Sequence, residues 1–288
     1  MKKHDSFDLW LHDNDELSSI QQMDVLAREP LQEWPLSVVE RVTFGDGTSR
    51  IYKASYNLPT EADFYRKIRS QYIPDVFFCR SDGERHWMLF EDVKGQHPVN
   101  LGRDETLELA HGARKIICEL GTFEPYRYDL SARGYDSFVD ATIGLLHKLR
   151  KKKKLKKVDG AAIRRMKEAL SHPEVLRAVQ GRCALLHGDL RCKNMLIRPD
   201  GALVILDWQN ILFGPEEIDL YTLLAEHKHD CMSIAGIGPE VLRLALYIKW
   251  LADCIDCWIP YWPDFYDGQI AEKEKEIQCV LQNKPHTS

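Results

Sequence analysis

Residues 185–210 read LLHGDLRCKNMLIRPDGALVILDWQN. Asp189 stands between a glycine and a leucine, Asn194 follows five residues later, and Asp207 comes thirteen beyond that. Between Asn194 and Asp207 the apolar segments MLI and LVIL flank RPDG, a turn sequence, so the spacing predicts a short hairpin. Carboxylate and amide side chains at its ends are either turn caps or parts of a reaction centre, and the rest of the chain has to decide between them.

The chain has 288 residues, of which 44% are hydrophobic and 29% charged, a globular balance long enough for two lobes. No apolar run approaches the roughly 18 residues of a membrane span. The N-terminal MKKHDSFDLWLHDNDELSSI carries charges throughout and has no apolar core, so no signal peptide is expected and a cytoplasmic location is. The eight cysteines are dispersed through apolar segments, as reduced thiols are. Cys254-x-x-Cys257 lacks the second pair a zinc site needs and reads as a buried or incidental pair. Net charge is −5, yet Lys148 to Lys157 holds eight basic residues and no acidic one. No aromatics interleave with these lysines, and the run reads as a solvated helix face or connecting loop. Neither a nucleic acid nor a membrane is expected as partner.

The first third is β-rich with one helix. SVVERVTF and SRIYKAS alternate as strands do and are joined by Gly45-Asp46-Gly47, a hairpin signal. A helix follows from Pro59-Thr60-Glu61, with Thr60 as its cap and apolar positions 62, 65 and 68 on one face. VFFCRSDGERHWMLFEDV reads as a second hairpin, turning at Ser81-Asp82-Gly83. Beyond EDVKGQHPVN the periodicity becomes helical over 104–122, 136–150 and 161–179, and residues 239–259 are apolar on nearly all sides, as a buried helix is.

His187-Gly188-Asp189-Leu190-x-x-x-Asn194, the hairpin and Asp207-Trp208 resemble the catalytic loop and metal-binding segment of kinases, whose protein-kinase forms are H-R-D-L-x-x-x-N and D-F-G. With HGD and DW in those places, the chain resembles the aminoglycoside phosphotransferase and choline kinase family of small-molecule kinases. FGPEEIDL adds the downstream Gly214 and Asp219-Leu220, and Lys53 and Glu61 stand in the order of the paired strand lysine and helix glutamate. The resemblance implies an α+β, bilobal, protein-kinase-like fold. A small antiparallel-sheet nucleotide-binding lobe would span 1–92 and a larger, mainly helical catalytic and acceptor-binding lobe 93–288, with a hinge near 91–97.

It also implies roles. Asp189 is the catalytic base that holds and accepts the proton of the acceptor hydroxyl, and Asn194 and Asp207 are ligands of Mg²⁺, which favours hard oxygens. Lys53 grips the nucleotide phosphates, with Glu61 directing its ammonium, and Glu91 to Val93 receive the adenine of ATP, or the guanine of GTP, through backbone groups. His187 and Asp219 support the loop. Such a constellation suits phosphoryl transfer, which asks a protein chiefly for positioning and charge neutralisation.

Two features depart from the pattern or extend it. The stretch LAREPLQEWPL, where a phosphate-covering loop belongs, contains no glycine. From Asp207 to Asp267 there are eleven acidic residues against Lys228, Arg243 and Lys249, which favours a cationic, hydroxyl-bearing acceptor. Asp253, Asp256, Trp258 and Trp262 are candidates to bind it, Tyr261 and Tyr266 lying in the same aromatic stretch. An amino sugar of the aminoglycoside kind is ranked first, a choline-like or other metabolite alcohol second. A nucleotide-binding pseudokinase serving as a regulatory module is the alternative of another class.

Overall fold

In the computed structural model, which describes residues 1–231, 233, 236–262 and 264–282, the chain divides into two units. The first comprises Met1–Val99, Glu119–Pro125 and Cys192–Asn210, the second Asn100–Cys118, Tyr126–Arg191 and Ile211–Ser288.

The first unit opens with a two-residue ladder of β1 (Lys2–Lys3) on β2 (Trp10–Leu11). Helix α1 (Asn14–Gln21) follows, a helix the sequence reading did not predict. It starts with a capping box, in which Asp13 accepts from the Glu16 N–H and Glu16 from the Asp13 N–H. Five antiparallel strands then form one sheet: β3 (Val25–Trp34), β4 (Ser37–Phe44), β5 (Ser49–Tyr56), β6 (Val76–Asp82) and β7 (Arg85–Glu91), in the order β3-β4-β5-β7-β6. Both predicted hairpins are present. Gly47 (φ +81°) and Gly83 (φ +59°) supply the left-handed turn residues, the second turn falling at Gly83-Glu84, one position later than expected. The glycine-free LAREPLQEWPL lies mostly in β3, an edge strand that tolerates Pro30 beside a register shift, and Pro35-Leu36 turn tightly into β4.

Strand periodicity sorts the sheet into two faces. Val38, Val42, Phe44, Tyr52, Ala54, Trp87 and Leu89 pack with Leu17 of α1 and with Leu9 and Leu11. Lys53 is out of step with Tyr52 and Ala54, so it points to the opposite face, where α2 (Pro59–Lys67) supplies Glu61. The N-cap of α2 is Leu58, with no side-chain hydrogen bond. Thr60 therefore lies within the first turn and does not cap it. The predicted short hairpin forms from Met195–Ile197 and Leu203–Ile205, turning through Arg198 to Gly201 (φ +87°). A single bridge between Gln96 and Ile197 fastens it to the segment after β7.

The second unit is mainly helical: α3 (Arg103–Glu119), α4 (Tyr135–Lys151), α5 (Gly160–Leu170), α6 (Pro173–Gln180), α7 (Glu217–Glu226), α8 (Ile237–Trp258) and α9 (Phe265–Gln282). The helix expected over 161–179 is two helices, because Pro173 lacks an N–H and its ring would strike the preceding turn. As its composition requires, α8 is buried along most of its length, and it packs on α4, α6, α7 and α9. Leu212–Pro215 pairs antiparallel with Cys183–Leu186 and parallel with Tyr128–Asp129, and so fixes the entry to the HGD loop. No disulfide joins the cysteines among the described residues. None of the described helices is long and apolar enough to cross a membrane.

Candidate active site

In the first unit the hairpin register sets the geometry. Met195 pairs with Ile205, and the Leu206 N–H donates to the Asn194 carbonyl at 2.8 Å, so Asn194 and Asp207 emerge at the same end of the two strands. Beyond that end Trp208 is wholly buried, stacks on Phe64 of α2 at 4.4 Å between ring centres, and donates its indole N–H to the Ile205 carbonyl. This anchor lets Asp207 hold a left-handed backbone (φ +61°), a conformation uncommon outside glycine.

Lys53 lies where these elements meet. Its ammonium donates to Glu61 Oε1 at 2.8 Å and to Asp207 Oδ1 at 2.7 Å, so the structure brings together three predicted residues that are up to 154 positions apart. Burial disfavours the Lys53 charge, but Asp207 and Glu61 more than offset it and hold its pKa above the usual lysine value. Burial raises the pKa of Glu61, with Lys53 opposing. Gln209 donates to Asp207 Oδ2 at 3.3 Å, and its buried Oε1 has no hydrogen-bond partner among the described residues. Sequence reading passed over Gln209, although it follows the DW pair directly.

Glu91 and Val93 differ in what they offer. The Glu91 N–H is engaged by the Asp75 carbonyl at 2.8 Å, and its carboxylate accepts both Arg198 guanidinium N–H groups at 2.8 and 3.0 Å. Val93 is buried, and its backbone groups make no hydrogen bond among the described residues.

In the second unit the HGD loop is built around Asp219. This carboxylate, 5% exposed at the start of α7, accepts the His187 N–H at 2.8 Å and the Gly188 N–H at 2.9 Å. Burial raises its pKa, while His187 and those two N–H groups work in the other direction. Gly188 has φ +80°, which explains a glycine between His187 and Asp189. His187 is fully buried and accepts the Asp189 N–H at Nδ1 (3.3 Å). Asp189 Oδ1 receives Arg191 Nε at 2.7 Å.

The predicted acceptor-binding residues are spread out within this unit. Asp253 takes the Tyr128 hydroxyl at 2.7 Å and the Lys249 ammonium at 2.5 Å. Asp256 pairs with Lys154, Trp258 is 2% exposed within an aromatic cluster, and Trp262 is 40% exposed beyond it. Tyr247 of α8 lies in the electrostatic field of Asp189 and Arg191. Burial raises its pKa, Arg191 lowers it, and Asp189, Glu272 and Glu276 add to the rise, which puts all four within electrostatic reach of its phenol. Tyr247 stacks on Trp250 with ring centres 5.8 Å apart.

A profile described as the phosphotransferase enzyme family matches residues 49–246. No curated protein matches the chain significantly in sequence. Among solved structures, a choline/ethanolamine kinase family protein from Mesorhizobium loti aligns with a TM-score of 0.60 at 17% identity, over 90% of this chain and 89% of that one. The streptomycin–ATP complex of APH(2")-IIa aligns at 0.55 and 18% identity, over 96% and 98%. ADP-bound aminoglycoside phosphotransferase APH(2'')-Ib aligns at 0.54 and 19%, over 93% and 95%. Likenesses at such identities establish the protein-kinase-like fold.

Proposed function

The chain belongs to the phosphotransferase enzyme family, and we propose that it transfers the γ-phosphate of ATP to a hydroxyl group of a small, amine-bearing molecule. The observation that carries this reading is Lys53 held between Glu61 and Asp207, with Asn194 at the same end of the hairpin as Asp207. An ammonium oriented by one buried carboxylate is prepared to receive nucleotide phosphates, and it costs little reorganisation when they arrive. Val93 has backbone groups to offer an adenine.

The donor set suits Mg²⁺. Asn194 and Asp207 provide an amide and a carboxylate oxygen, and Gln209 Oε1, unpartnered among the described residues, is a further hard oxygen beside Asp207. When bound there, Mg²⁺ would neutralise phosphate charge. Asp189 is the proposed base. Its backbone is set by His187, Gly188 and Asp219, and its side chain holds the acceptor hydroxyl and takes its proton as the oxygen attacks phosphorus. Arg191 keeps that carboxylate in one orientation meanwhile. For the acceptor, Tyr247 and Trp250 offer an aromatic surface that acts within the field of Asp189 and Glu272, while Glu276 is paired with Lys273, whose ammonium lies 5.9 Å from the centre of the Tyr247 ring. The neighbours' names give the class a range, from choline or ethanolamine to aminoglycosides.

The direct test is ADP release from ATP with Mg²⁺ across a panel of amino alcohols, amino sugars and neutral sugars, comparing wild type with Asp189→Ala. Acceptor-dependent release by the wild type alone supports the reading. Equal release by both proteins removes Asp189 as base, and turnover of neutral alcohols only removes the cationic acceptor.

A further inference from the structure

We propose that the lysine loop after α4 and the connection between α8 and α9 together form a docking surface for an anionic lipid membrane. Taken as sequence, the run Lys148 to Lys157 lacks aromatic neighbours. In the structure the aromatics come from more than a hundred residues away.

Helix α4 ends with Lys153 in the left-handed conformation (φ +57°), its N–H donating to the Arg150 carbonyl at 2.8 Å. The loop beyond is fixed rather than free. Leu155 and Val158 are buried, and the Asp267 carboxylate, 4% exposed, accepts the N–H groups of Lys156 at 2.9 Å and Lys157 at 2.8 Å. Lys154 pairs with Asp256 on α8, and the Lys156 ammonium is 3.7 Å from Asp264. These ties fasten the lysines to the segment that carries Trp262 and Phe265, which are 40% and 47% exposed. The two rings lie 5.9 Å apart and rest on buried Trp258, at 6.3 and 6.1 Å.

The charge that remains is considerable. Among the described residues, Lys148, Lys151, Lys152, Lys153 and Lys157 form no ion pair with a carboxylate, and Arg150 lies in the field of Asp159. His147, Arg150, Lys151, Lys153, Leu155 and Lys156 line a shallow concavity of about 680 Å³. A cationic surface next to a pair of exposed apolar rings matches the two layers of a membrane interface. Lysines meet lipid phosphates and carboxylates, and tryptophan and phenylalanine enter the headgroup region. A single-stranded nucleic acid would instead call for rings interleaved with the cations to stack its bases, and here the rings stand to one side. The membrane is therefore the partner that the arrangement fits.

The test is flotation of the full chain with vesicles of phosphatidylcholine alone and of phosphatidylcholine mixed with phosphatidylserine. The chain floats with the mixed vesicles only, and less as salt is raised. Lys151→Glu with Lys152→Glu lowers the bound fraction by about tenfold or more. Trp262→Ser with Phe265→Ser lowers it as well but leaves the salt dependence in place. Thermal melts confirm that all three proteins are folded. Absence of flotation with phosphatidylserine vesicles overturns the proposal, and so does flotation indifferent to either double substitution. Equal affinity for a polyuridine RNA, sensitive to the lysines and indifferent to the aromatics, would reassign the surface to nucleic acid.

Discussion

The Lys53 ammonium lies 2.7 Å from Asp207 Oδ1 and also binds Glu61, so one buried cation balances two carboxylates in the same unit. Removing it leaves like charges facing each other with Glu61 almost wholly out of water. Lys53→Met is expected to lose about 3–5 kcal/mol of stability in urea denaturation, because a buried carboxylate then has no counter-charge. Lys53→Met combined with Glu61→Leu recovers most of that loss while leaving nucleotide turnover abolished. Additive losses in the double variant would mean that the two residues do not act as a pair.

Asp189 is expected to behave differently from Lys53, because it is proposed to act on the acceptor and not on the nucleotide. Asp189→Asn keeps the shape of the loop and removes the basicity, so kcat should fall by about 10²- to 10⁴-fold with KM for ATP nearly unchanged. Steady-state kinetics at fixed Mg²⁺ separates the two parameters. A large rise in KM for ATP with kcat preserved would assign Asp189 to nucleotide binding instead.

Much of this was legible in the chain, because local rules and the site agree there. RPDG must turn, the flanking apolar triplets must pair, and that pairing alone puts Asn194 and Asp207 at one end. Lys53 and Glu61 could be ordered by resemblance, but their contact with Asp207 depends on packing across 154 residues, which no spacing rule encodes. Three features escaped for identifiable reasons. Strand β3 is an exposed edge containing Pro30 and lacks the alternation of a half-buried strand. Helical periodicity carried the reading straight across Pro173. Asp13-x-x-Glu16 announced α1, but the scattered charges around it hid the signal. The aromatics beside the lysine loop could not have been found by looking near the lysines.

Glu91 and Arg198 give the pH dependence a definite sign. The Arg198 hydrogen bonds hold the Glu91 carboxyl below its ordinary value of 4.5, burial opposing. A depressed folded-state pKa contributes stability that is present above the unfolded value and lost as pH falls through the folded one. Arg198→Ala is therefore expected to be about 0.5–1 kcal/mol less stable than wild type at neutral pH, the pair being partly exposed. That gap should close as the pH drops below 4.5. Urea midpoints across the acid range measure it, and a gap that stays constant to low pH would place the effect of Arg198 outside this ion pair.

The hairpin is held by a close backbone approach at Gly95. A Cβ on Gly95 would lie 2.7 Å from the Ile197 carbonyl oxygen and 3.1 Å from its carbon, and both are backbone atoms that no rotamer change can move. The Gln96 N–H donates to the Ile197 carbonyl at 3.0 Å and the Ile197 N–H returns to the Gln96 carbonyl at 2.9 Å, so the approach is fixed on both sides. Gly95→Ala must open this bridge or displace the strand, at a cost of about 1–3 kcal/mol. Because that strand begins next to Asn194, the variant should also need several-fold more Mg²⁺ for half-maximal turnover. Gly112→Ala is the control: a Cβ there meets nothing within 4 Å in the middle of α3, and alanine is the better helix former, so stability should rise by up to about 1 kcal/mol. Were Gly95→Ala as stable as wild type in urea, the close contact between the segment after β7 and the hairpin would not be what fixes the strand.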